Sequence, residues 1–213
     1  HRITDGWRQG LQAAVNRSDF VDLDKANPGT TQTQSERRLV TELASLEWRH
    51  DVDVADCGGV ATGLELKDRR GSSTNFDKSL FSWAWYLNPH VTLWDRLTLI
   101  GGARLFRHNT FGRDKTWEAS ASYALNDRSA LRVGVAKGYH APTINDLYFP
   151  NFSNPDLNPE ESESYEVGFN QEWLDGKAAL SATLFHREVD DLIQASAPNF
   201  IPVNIGETEQ KGL

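Results

Sequence analysis

Apolar residues recur at every second position along most of this chain. Leu131, Val133 and Val135 share one side of an extended stretch, with Arg132, Gly134 and Ala136 on the other. Phe81, Trp83, Trp85 and Leu87 oppose Ser82 and Ala84; Tyr165, Val167, Phe169 and Trp173 oppose Glu166, Gly168 and Glu172; Leu180, Ala182 and Leu184 oppose Ser181 and Thr183. A period of two sends alternate side chains to opposite faces of a β-strand, so one face here suits hydrocarbon and its reverse suits water. The pattern predicts ten strands, at 6–17, 36–50, 58–68, 78–88, 95–107, 116–125, 129–138, 162–173, 177–189 and 200–213. Each has about the 9–11 residues that a strand needs to cross a bilayer at a tilt.

The connections alternate in kind. Short ones are predicted at Asn126-Asp127-Arg128 and at Asp175-Gly176, where Asp-Gly accepts the positive φ values of a primed hairpin turn. Long polar ones are predicted at 18–35, 69–77, 107–115, 140–161 and 190–199, all at the same end of the sheet. Outer-membrane barrels show this asymmetry of tight turns and longer loops. Trp7, Trp48, Trp94, Trp117 and Trp173 fall at or near predicted strand ends, as an interfacial girdle requires. The alternative on this feature alone is a soluble β core packed by tryptophan.

Composition narrows the classes. A chain of 213 residues with 38% hydrophobic and 24% charged residues is that of a folded protein. No apolar run approaches the roughly 18 residues of a spanning helix; 97–105 is interrupted by Gly101, Gly102 and Arg104. A net charge of −8 offers no basic stripe for nucleic acid. Cys57 is the only cysteine, which excludes an intrachain disulfide and a cysteine zinc site. The chain begins at His1 with no signal sequence, the expectation for a mature product or a fragment.

The densest motif is Gly138-Tyr139-His140-Ala141-Pro142, then a turn-rich loop, then Asn154-Pro155-Asp156-Leu157-Asn158-Pro159-Glu160 and Ser162-Glu163-Ser164-Tyr165-Glu166-Val167-Gly168-Phe169. Together with Leu97-Thr98-Leu99-Ile100-Gly101-Gly102-Ala103-Arg104, 180–193 and Asn204-Ile205-Gly206, this order resembles the β-barrel domain of TonB-dependent outer-membrane receptors over residues 94–213. The resemblance implies an all-β fold: an antiparallel transmembrane barrel of 22 strands, of which about ten are seen here, without plug or C-terminal strands. It implies location in the outer membrane of a Gram-negative bacterium, contact with outer-membrane lipid, and TonB-energised uptake through a plug absent from 1–213. The ligand implied is a metal chelate or cofactor. Asn145-Asp146-Leu147-Tyr148-Phe149-Pro150, followed closely by the NPDL motif, resembles vitamin B12 receptor-like members, which places cobalamin before ferric siderophores.

Gly138, Tyr139, Pro142, Asn154, Pro155, Leu157, Pro159 and Glu160 are expected to shape the loop, because proline ends strand pairing and Asn and Asp suit turns. Tyr148, Phe149, Phe152 and His140 are the candidate ligand contacts. The heme-receptor pattern is not met, since no histidine lies between Pro142 and Asn154. Asp19, Asp22 and Asp24, with Asn27, offer clustered oxygen donors of the kind calcium selects, against the plainer reading of a solvated acidic loop. No resident cofactor is otherwise implied. His50, His90, His108 and His186 are expected to be polar wall residues. His186 with Asp190 and Asp191 raises a hydrolase, but adjacent carboxylates on a strand point to opposite faces, and no catalytic residue is assigned. The competing classes are a small non-transport outer-membrane barrel, enzymatic or structural, and a soluble β-sandwich binding module.

Overall fold

The computed structural model describes residues 2–24, 35–74, 76–174 and 176–213. Its strands are β1 (Arg2–Thr4), β2 (Trp7–Asp24), β3 (Ser35–Asp53), β4 (Gly58–Ser73), β5 (Phe76–Leu93), β6 (Leu97–His108), β7 (Gly112–Asn126), β8 (Ser129–His140), β9 (Glu160–Trp173), β10 (Ala178–Asp190), β11 (Leu192–Ala195), β12 (Pro202–Ile205) and β13 (Thr208–Gly212), with one short helix, α1 (Ile144–Tyr148). Eleven strands form a single antiparallel sheet in the order β1 to β10 and then β13, while β11 and β12 form a separate hairpin. The sheet is open: β1 and β13 each have one neighbour among the described residues. It is a partial barrel wall.

Two expectations change. The pattern over 200–213 predicts one strand, yet β12 is diverted to β11 and only β13 pairs with β10. The second correction concerns strand length. β4, β5 and β7 run 16, 18 and 15 residues, so of the expected loops 69–77 and 107–115 only the stretches between Ser73 and Phe76 and between His108 and Gly112 lie outside strands. Polar sequence there reflects strands that leave the bilayer while still paired, because a ladder of main-chain bonds places no demand on side-chain polarity. The connection after β8 is long, at 141–159, as expected.

Register fixes the two faces. On one side Leu11 meets Trp48, Trp48 meets Leu64 and Leu64 meets Trp85; further round the sheet Tyr123 meets Leu131, Leu131 meets Phe169 and Val133 meets Val167. Apart from half-buried Phe169 these side chains stay exposed, Leu11 at 72% and Val133 at 43%, which in water would be an untenable apolar surface. Trp7 and Arg17 are ten steps apart, or about 25 Å along the membrane normal at about 3.3 Å per residue and about 40° tilt. That is the height of the apolar band of an outer-membrane barrel, about 25 Å. Followed across the break in the ladder at 88–89, the row of opposed residues from Trp7 through Val52, Val60 and Val135 reaches polar His186 and Lys211, so the strands are tilted against the band, as barrel geometry requires.

Within this face polar groups are satisfied or placed at its margins. The Thr62 hydroxyl donates to the Tyr86 carbonyl at 2.7 Å. Trp7 donates to His50 at 3.2 Å, and Trp94 sits in the three-residue turn 94–96, where it and Asp95 both take positive φ. Trp7, Trp94 and Trp173 therefore mark the short-turn end. Trp48 lies five residues inside the short-turn end of β3, and Trp117 lies toward the opposite, long-loop end, five residues from the start of β7. Pro89 lacks an N–H, and the β5–β6 ladder is interrupted at 88–89.

Candidate functional site

The reverse of the sheet is polar. Glu65 lies between Lys67 and Arg104, ion-paired to both; Arg49 grips Asp51 through Nε at 3.0 Å and Nη2 at 2.7 Å. Tyr86 crosses over Gly63 to donate to Glu47 Oε1 at 2.6 Å. A Cβ on Gly63 would stand 2.6 Å from the Tyr86 hydroxyl and 2.7 Å from the Trp48 carbonyl oxygen, so glycine is what lets the ring lie flat there. Buried or half-buried charges facing one another are tolerable only when paired, and these are.

Toward the long-loop end the inner face is roofed by the 141–159 connection. Thr143 caps α1: its hydroxyl accepts from Asp146 N at 3.2 Å, and Asp146 Oδ2 accepts from Thr143 N at 2.8 Å, a reciprocal capping box. Ile144 and Leu147 then point down onto Leu80, with Leu157 completing a small core packed by Phe76, Phe111, Tyr148 and Ile193. Ile144 fits because Gly71 has no side chain beneath it. The connection thus crosses from β8 to β4 and β5 instead of projecting into solvent.

The NPDL stretch fastens the roof. Asn154 Oδ1 accepts from Asp156 N at 3.0 Å and its Nδ2 donates to the Pro202 carbonyl at 3.2 Å. Asn204 Oδ1 accepts from Asn158 N at 2.8 Å, while Asn204 Nδ2 donates to the carbonyls of Asn158 and Asp191. Glu160 Oε1 accepts from Ile193 N at 2.7 Å. Gly138 faces Ser162, and Pro142 is buried directly before the cap. Pro155 is exposed and Pro159 half-buried.

Beneath Ala141–Asn145 lies a concavity of about 530 Å³. Its wall includes Lys67, Arg69 and Arg104 against Glu65, together with Tyr139, Phe106, His108 and His140. Tyr139 meets Phe106 edge-on at 4.6 Å. His108 lies beyond the apolar 97–105 portion of β6, and burial, with the Arg69 charge nearby, pushes its imidazole below the ordinary histidine range. The wall mixes apolar and aromatic surface with charges of both signs, Lys67, Arg69 and Arg104 beside Glu42 and Glu65, so it can hold a largely apolar solute that carries a few hydrogen-bonding groups.

The structure separates the four candidate ligand contacts. His140 is exposed on the inner face and lines the concavity. Tyr148 is half-buried, its ring 6.0 Å from Phe76 and under Lys78 Nζ at 5.6 Å. Phe149 and Phe152 lie with ring centroids 6.3 Å apart, Phe149 half-buried and Phe152 exposed. Of the calcium candidates, β2 continues through all three positions instead of ending at 17; Asp19 accepts from Arg38 Nε at 2.9 Å, which holds its carboxyl below the usual carboxylate range. The side chains of Asp22 and Asp24, and Asn27, lie outside the described residues. His186 binds Glu188 at 2.9 Å and approaches Glu209 at 3.6 Å, not Asp190 or Asp191. The concavity's charged residues sit at alternate positions of β4 and β6, and that alternation was their only trace in the sequence.

A family profile described as TonB dependent receptor-like, beta-barrel, matches residues 1–213. The chain is 28% identical over 200 residues to a vitamin B12 transporter BtuB of Photobacterium profundum, covering 88% of this chain and 32% of that protein. It is 30% identical over 225 residues to a BtuB of Vibrio vulnificus, covering 100% and 34%. The chain thus spans about a third of the length of these curated relatives. Among solved structures it is similar to the copper transporter OprC, with TM-score 0.81 at 14% identity, covering 99% of this chain and 40% of that one. It is also similar to a mutant of the ferric enterobactin receptor PfeA of Pseudomonas aeruginosa, with TM-score 0.80 at 13% identity, covering 98% and 38%.

Proposed function

Since the chain belongs to the TonB-dependent receptor-like β-barrel family, we propose that it forms part of the wall of an outer-membrane receptor that imports a metal-bearing chelate. The family consists of receptors and transporters of the Gram-negative outer membrane, not enzymes. The observation that carries the reading is the pairing of faces on one sheet: an exposed apolar band outside, and inside a concavity carrying Lys67, Arg69, Arg104 and Glu65 and roofed by the capped 141–159 loop. A solute entering from the loop end would meet Phe149 and Phe152 first, then His140 and the Lys67, Arg69 and Arg104 wall. Energy would come through TonB acting on a plug seated in the completed barrel.

Cobalamin is the ligand proposed first, ferric siderophores second. The vitamin B12 transporters are relatives by sequence, whereas the copper and siderophore proteins share the fold at identities too low to speak to ligand. Competition decides between them: cells depending on the receptor that carries this segment are given labelled cyanocobalamin with excess ferric enterobactin, and the reverse. Uptake of labelled cobalamin that resists the ferric chelate supports the order given. Ferric chelate uptake unaffected by excess cobalamin reverses it.

A further inference from the structure

On the apolar face, β6 carries Leu97, Leu99 and Leu105 and then Arg107; β7 carries Tyr123, Ala121, Ala119 and Trp117 and then Lys115 and Arg113. Arg107 and Arg113 are directly opposed across the ladder, and Lys115 sits opposite Leu105, one diagonal step from Arg107. Like charges in this relation destabilise a strand pair. All three side chains are exposed, and among the described residues none has an ion pair. The nearest candidates are otherwise engaged: Glu161 holds Lys137 at 2.7 Å, Asp68 holds Arg70 at 2.9 Å, and Asp114 lies on the opposite face and accepts from the Lys115 N–H. Elsewhere along this margin cations are matched, as Arg17 is by Glu42 at 2.7 Å.

Three cations without an ion pair, grouped immediately outside the hydrocarbon band in the middle of the sheet where no further strand can cover them, are free to take an anion from the surroundings. The geometry points to a phosphate-bearing lipid headgroup of the loop-side leaflet, held by Arg107, Arg113 and Lys115 while its acyl chains lie along Leu105, Trp117 and the apolar face below. Arginine suits this role because its planar fork meets phosphate oxygens two at a time. The acyl contact commits the site to a lipid instead of a free ion.

The test uses the intact receptor carrying this segment, in phosphatidylcholine nanodiscs doped with bisphosphorylated lipid A or with its dephosphorylated form, with bound lipid counted by native mass spectrometry. The expected result is retention of the phosphorylated form, reduced at least fivefold in the R107Q/R113Q/K115Q variant, restored in R107K/R113K, and unaffected by millimolar inorganic phosphate. The lysine variant guards against misfolding, since it keeps the charge. Equal retention by the glutamine variant, equal retention of the dephosphorylated lipid, or displacement by inorganic phosphate overturns the proposal.

Discussion

Placing one arginine on each face of the sheet, on neighbouring strands, tests the assignment of lipid and lumen most directly. Val133 lies between Ala121 and Val167 on the apolar face, 43% exposed. It is four residues below Lys137, hence about 10 Å from the outer margin of the band at about 3.3 Å per residue and about 40° tilt. In an apolar band about 25 Å tall that is close to the midplane, where an arginine costs about 2–4 kcal/mol. Val133→Arg should therefore lower the folding equilibrium constant by roughly 30- to 700-fold, at about 1.4 kcal/mol per factor of ten. Ser120→Arg, on the inner face opposite Gly134, should stay within about 1 kcal/mol, as a solvated substitution beside Glu166 does. Urea titration of the receptor carrying this segment, folded into vesicles and followed by tryptophan fluorescence and heat-modifiable migration, measures both. If Ser120→Arg costs as much as Val133→Arg, or more, the faces have been assigned the wrong way round.

Other outcomes follow from the same geometry. Leu147→Ala should remove about 2–5 kcal/mol from the packing of the 141–159 roof, read as faster amide exchange and proteolysis in that loop with the sheet unchanged. Gly63→Val should force Tyr86 off Glu47 and reduce folded yield, whereas Gly10→Val, with open space around its Cβ, should not; equal yields would contradict the close approach. His108 is held below the ordinary value of about 6.5, so the unfolded chain takes up its proton first as pH falls and stability drops below that value, with no contribution above it. An NMR titration placing His108 at or above the exposed histidines would refute this. Arg104→Met should leave Glu65 with Lys67 alone and weaken ligand capture more than it alters barrel assembly, measured as ligand affinity against folded yield.

The alternation of residues such as Leu131, Val133 and Val135 was enough to specify strands, their faces and their neighbours, because a period of two has a single structural solution. Motif order was enough to point to the family. Strand ends were not legible: 69–73 and 112–115 read as loop because polarity normally marks loops, yet strands that continue beyond a bilayer stay paired whatever their side chains. Nor could the sequence show that 141–159 folds back onto Leu80, or that Asn204 holds Asn158 across 46 residues. Those contacts depend on which distant strands stand opposite one another. The chain by itself determined an amphipathic sheet made for a membrane; the tertiary structure alone decided where Arg104, Glu65 and His140 converge, since periodicity assigns a residue to a face but only the register and curvature of the whole wall set its partners.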